Sequence, residues 1–217
     1  MKIKKVLLLA LVLVCCLPAT GALGESRYDA LCAARQVSGP HVTAWLEIPG
    51  FAFCQPVMQH PQNDAFYAKH DAAGAETDFG MMYTQATYNK PDFNDPVTIV
   101  YGSSTTEGTV LRDLQENYSG GFDEGRKVLL HLPGETREYL VFAALPYSAV
   151  HILHYYDFSV EKRFISFFDG IFSSRVLGMH LATADAPVPG EKVLILSTGL
   201  RGDRLQRFLV MAKLVNK

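Results

Sequence analysis

The chain predicts a closed or nearly closed β-barrel of about seven to eight strands with helices appended. Three observations carry this reading. Short apolar or β-branched runs outnumber helical patterns, the connections between them are mostly short, and Gly/Pro pairs punctuate them at close intervals. The 217 residues suit one domain of generous size.

The elements follow in order. Residues 25–38 place Tyr28, Leu31, Cys32 and Arg35 at helical spacing, and Pro40 ends that segment. "AWLEIPGFAFCQPVMQ" (44–59) reads as two short strands or one interrupted edge strand, broken by Pro49-Gly50 and Pro56. Residues 60–78 are a polar, Gly/Ala-rich loop, and "FGMMYT" (79–84) is a candidate strand. "VTIVYG" (97–102) is a buried strand, and "TVLRDLQENY" (109–118) is a short helix closed by Gly120-Gly121. "KVLLHL" (127–132), Pro133-Gly134 and "REYLVFAAL" (137–145) form a hairpin. A long helix is expected at 160–177, capped by Ser159. Its apolar stripe of Val160, Phe164, Phe167, Phe168, Ile171 and Phe172 is that of a core-packing face. "KVLILST" (192–198) and "RFLVMAKL" (207–214) are the last two strands.

Residues 1–24 have their own logic. Lys2, Lys4 and Lys5 precede an apolar run from Val6 to Leu17 and the small residues "PATGALG". That is a secretory signal pattern, with an apolar run short of the ~20 residues a spanning helix needs. A short uncleaved anchor is the alternative. Cys15 and Cys16 raise a lipoprotein reading, but Val14 and Cys15 are poor residues to precede a lipidated Cys. Residues 25–43 are an N-terminal helical segment and 44–217 the barrel domain. Without residues 1–24 the chain keeps 17 basic against 22 acidic residues, a balance of −5. No basic block accompanies the barrel, so nucleic acid is excluded as a partner. The expected location is outside the cell or in its envelope, where a disulfide is allowed. Cys32 and Cys54 read as two separately buried thiols. "LPATG" (17–21), "RGD" (201–203) and the sequon "NYS" (117–119) are short enough to arise by chance.

Several pieces, weak singly, are specific in their order. "WLEIPG", "PVMQ", "FYAKHD" (66–71), "FGMMY", "TIVYG", the hairpin ending "VFAAL", "FSVEKRF" (158–164), "ILST" (195–198) and "RFLVMAKL" together resemble the sortases, cysteine transpeptidases of bacterial envelopes. The long helix before the penultimate strand points to class B. The resemblance runs from about Trp45 to Lys217 and implies a catalytic His after "YG", a Cys after "ST" and an Arg opening the last strand. Here those positions hold Ser103, Gly199 and Arg207. The nucleophile and its base are replaced; the cation is kept.

The resemblance therefore implies an exported pseudoenzyme that binds a peptide or envelope protein without cutting it. Arg207, Ser104, Ser197, Thr198 and Tyr101 are its expected binding residues, with no cofactor and no metal. Membrane contact is expected only through an N-terminal anchor. The enzymatic alternative is a transpeptidase or hydrolase with a relocated Ser nucleophile. His151 and His154 in "VHILHYYDF" are then the candidate base or a metal pair, against their reading as ordinary loop histidines. A third alternative is a structural envelope protein. "HD" (70–71) reads as a hydrogen-bonding pair and Cys54 as a core thiol.

Overall fold

The structure is a computed structural model that describes residues 26–37, 39–103, 111, 113–123 and 126–216. Residues 1–25, where a signal is expected, Ser104 and most of the loop after it lie outside the described residues.

Nine strands form one sheet: β1 Val42–Ile48, β2 Phe53–Met58, β3 Met82–Tyr83, β4 Val97–Tyr101, β5 Lys127–Leu132, β6 Glu135–Ser148, β7 His180–Leu181, β8 Val193–Leu200 and β9 Asp203–Asn216. Eight of them close a barrel in the order β5-β1-β2-β3-β4-β8-β9-β6, with β6 pairing back onto β5. β7 is a short addition on β6 at Ala143 and Ala144. Pairing is antiparallel except between β2 and β3 and between β4 and β8. Closure removes the open edges that would otherwise invite intermolecular pairing.

Alternation along the strands makes two cores. Leu46, Val57, Val100, Leu130, Val141, Leu196, Phe208 and Val210 fill the barrel. Val97, Ile99, Phe142, Leu145, Ile195, Leu209 and Met211 point the other way, under helix α4 (Glu161–Ser173). β8 is buried on both faces, which is why its sequence is a continuous apolar run rather than an alternating one. α4 contributes Phe164, Phe167, Phe168 and Ile171, each at most 3% exposed.

A smaller cluster docks helix α1 (Arg27–Arg35), which Ser26 caps by accepting from the Asp29 amide at 3.2 Å. Leu31 packs on Trp45 and Cys54 of β1 and β2. The Trp45 indole N–H donates to the Cys32 sulfur at 3.2 Å, and the Tyr28 hydroxyl donates to the Val42 carbonyl at 2.6 Å. Glu47 of β1 then takes the Arg27 guanidinium at 3.5 Å and His131 Nε2 at 2.9 Å, while His131 Nδ1 meets the Thr136 hydroxyl at 2.9 Å.

Several expectations change. The long helix starts at Glu161 and stops at Ser173, not Leu177. Its stripe runs out there: the next turn would put Ser174 and Arg175 on the buried face, and Leu177 is 96% exposed. Ser159 does not cap this helix; its hydroxyl and amide both bond Asp157 Oδ1, at 2.6 and 3.0 Å. Of the helix expected at 109–118, Leu114–Tyr118 forms α2, while Leu111 and Asp113 are described and are not helical. β1 begins at Val42, inside the segment expected to precede the barrel. β2 is not an edge strand. Pro56 is accommodated because β3 reaches only Val57 and Met58. Gly80 precedes β3 with φ +60, and a Cβ there would lie 2.2 Å from the Tyr67 carbonyl oxygen, so only glycine fits. The short helix α3, Ile152–Tyr155, and strand β7 were not expected.

Candidate functional site

Gly199 and Arg207 lie on adjacent strands β8 and β9, and Ser103 follows the end of their neighbour β4. Tyr101 of β4 pairs with Ser197 of β8, and the Gly102 amide continues the ladder to the Ser197 carbonyl at 3.1 Å. Ser103 is therefore one parallel step from Gly199. Gly199 is in turn the direct antiparallel partner of Arg207 on β9. The three positions lie side by side across β4-β8-β9.

They also share a face. Ile99 and Tyr101 on β4, Ile195 on β8, and Leu209 and Met211 on β9 belong to the outer core. Period-two alternation puts Ser103, Ser197, Gly199 and Arg207 on that same side. Arg207 is half-buried, with its guanidinium carbon 5.7 Å from the Tyr101 ring centroid. Tyr83 stacks on Tyr101 at 5.6 Å. Burial pushes both phenols above their ordinary range, while the Arg207 charge pulls them down and loses. No carboxylate pairs with Arg207 among the described residues. The Ser103 hydroxyl oxygen is buried and has no hydrogen-bond partner among the described residues.

Two expected binding residues do not open to this face. Thr198 pairs with Phe208 and follows Leu196, both barrel-interior residues, so its side chain is on the opposite face. It is fully buried and its hydroxyl has no partner. Ser197 is on the groove side but only 1% exposed. Ser104 lies outside the described residues.

His151 lies beside this face, with its ring 4.6 Å from Tyr88 and 6.4 Å from Tyr101. Both its nitrogens are engaged. Nδ1 accepts from the His154 amide at 3.1 Å, which fixes the proton on Nε2, and Nε2 donates to Gln85 Oε1 at 2.9 Å. His151 is thus a cap for α3. His154 is exposed, and no metal-binding group of His, Cys, Asp or Glu occurs among the described residues. His70 and Asp71 do not bond each other. His70 Nδ1 donates to the Phe66 carbonyl at 2.8 Å, and Asp71 Oδ1 accepts from the Ala73 and Ala75 amides at 2.9 Å. "RGD" is the β8–β9 turn: Arg201 pairs with Glu116, and Asp203 accepts from the Leu205 amide. Cys54 is 2% exposed, a core position as read.

Tyr83 and Gln85 were missing from the sequence reading of the site. Nothing marks them in sequence, because a two-residue parallel pairing brings that segment beside β2 and then to Tyr101. Among the described residues, this face offers a cation, a hydroxyl and two stacked phenols.

No family model matches the sequence, and no curated protein matches it. Solved structures do. Sortase B from Bacillus anthracis in complex with AAEK1 is 21% identical, with 99% of this chain and 96% of that one covered and a TM-score of 0.72. A mutant of Clostridium perfringens sortase B is 18% identical, covering 87% of each chain, with a TM-score of 0.72. A Staphylococcus aureus sortase B–substrate complex is 16% identical over 98% of this chain and 94% of that one, with a TM-score of 0.71. Barrel order, the outer helix and these superpositions agree: the chain has the class B sortase fold.

Proposed function

We propose that the chain is a catalytically inactive, exported protein of sortase fold whose groove binds a peptide or a cell-envelope protein. The observation that carries this is Ser103, Gly199 and Arg207 side by side, with glycine where the resemblance implies a cysteine. Thiol-based acyl transfer needs a thiolate and a proton-transfer partner, and Gly199 and Ser103 supply neither. For such a pair, losing either member costs about as much as losing both, leaving roughly 10³–10⁴ over the uncatalysed rate. Peptide ligands are in keeping with one fold neighbour solved with a substrate and another solved with triglycine. Export is supported by the charged and apolar pattern of residues 1–24.

The enzymatic alternative needs a serine with a base in reach. Ser103 is the serine beside Gly199, but both nitrogens of His151 are already engaged. Incubation with a fluorogenic sorting peptide separates the readings: no cleavage above a boiled control is expected, and turnover abolished by Ser103→Ala would establish a serine enzyme. Calorimetric titration with the same peptide separates a binding groove from a structural envelope protein, for which no heat is expected. Arg207→Ala should weaken binding by about 1.5–3 kcal/mol, the worth of a charge-assisted contact.

A further inference from the structure

The face around Gly199 is unbalanced in a specific way. Arg207 is a half-buried cation with its guanidinium over the Tyr101 ring and no described carboxylate partner. Asp64 is the acid whose charge is felt at Tyr83 and Tyr101, yet its carboxylate accepts from the Thr87 amide at 3.1 Å and forms no ion pair with Arg207. On the other side of Gly199, the buried Ser103 hydroxyl is unpartnered. Resting on the peptide-binding reading above, we infer that this groove captures a peptide ending in a free carboxylate, held by Arg207 and Ser103, in preference to an internal peptide carbonyl.

Donor counting supports the carboxylate. A guanidinium presents parallel N–H groups that match two carboxylate oxygens, and such an anion retains lone pairs for a hydroxyl. A neutral carbonyl has one oxygen and leaves the cation uncompensated. The substitution at 199 acts in the same direction. A thiolate there would put a negative charge between Ser103 and Arg207 and repel a carboxylate, as turnover requires of a released acid. Glycine carries no charge and no side chain, so the carboxylate is retained. Two residues before Arg207, Leu205 is 80% exposed, and its carbonyl accepts from the Ala149 amide at 2.9 Å, next to Val150 at 42%. This apolar rim suits a hydrophobic side chain upstream of the carboxylate.

The test uses randomised N-acetyl tetrapeptide pools, made once as free acids and once as C-terminal carboxamides. Each is titrated into protein labelled with ¹⁵N-arginine, reading the side-chain Nε–H resonance of Arg207, assigned by its loss in Arg207→Lys. The free acids are expected to shift that resonance and to bind at least about tenfold more tightly than the amides, with the preference reduced in Ser103→Ala. Equal affinity for acids and amides would overturn the inference and leave peptide binding standing. Silence from both pools would overturn peptide binding as well. Sodium acetate reproducing the full shift at the same concentration would show a bare anion site and overturn the peptide specificity.

Discussion

Thr198 carries a hydroxyl into the apolar interior of the barrel, where Leu196 and Phe208 surround it and nothing accepts its proton. A buried, unpaired hydroxyl costs roughly 1–3 kcal/mol. The near-isosteric Thr198→Val should therefore raise stability, by about 1 kcal/mol, in urea-melt midpoints at unchanged slope. A loss of stability would mean the hydroxyl has an acceptor after all. Across the sheet, the Gly199 face allows a sharper test of the proposed loss of catalysis. Gly199→Cys with Ser103→His puts a thiol and an imidazole on neighbouring strands beside Arg207. The double variant should gain trace thiol-dependent cleavage of a sorting peptide, sensitive to iodoacetamide, while either single variant stays silent. A double variant as inert as its parent would show that the strands are in register but the side chains are not aligned for attack.

At the scale of elements, two attachments hold helices to the barrel by different physics. α4 is held by area. Phe168 meets Phe158, Phe164, Phe167 and Phe142 with ring centroids 4.7–6.3 Å apart. Truncating such a residue to alanine leaves a cavity, and Phe168→Ala should cost about 3–5 kcal/mol in denaturant melts. α1 is held partly by charge, through Arg27, Glu47 and His131. Burial opposes ionisation of Glu47, but the His131 hydrogen bond and the Arg27 charge outweigh it and lower its pKa. A carboxylate depressed in the folded state adds stability above its unfolded value, near 4.3, and loses it as pH falls through the folded value. Wild type should accordingly exceed Glu47→Gln in stability at pH 7, and the gap should close in acid below about pH 4. A gap independent of pH would assign the difference to packing.

The whole molecule depends on the seam where β5 meets β6. Leu130 faces both neighbours, pairing with Leu46 on one side and Arg137 on the other. Proline there has no amide hydrogen and should cost at least about 3 kcal/mol, seen as a lowered melting temperature with no change at an exposed control such as Leu177→Pro. Closure was legible in the sequence because β5, β6, β8 and β9 are long, apolar and joined by Gly-containing turns. α4 was legible from its aromatic stripe. β3 and β7 were not, since two residues carry no period. The site was half legible. Ser103, Gly199 and Arg207 stand at motif boundaries, and the ladder places them on one face. Thr198 could not be assigned to a face, because β8 is apolar on both sides and only its pairing with Phe208 shows which way it points.

The parallel pairing of β4 with β8 has a consequence in time. Val97 waits for Val193 before it has a neighbour on that side, so a chain synthesised N-terminus first holds β4 open while the intervening residues arrive. Long-range closures of this kind are slow, and waiting strands are prone to wrong partners. The last hairpin, β8 to β9, therefore acts as the keystone of assembly. The face that carries Gly199 and Arg207 comes into being only when the rest of the wall is already standing, so its presence reports a finished molecule.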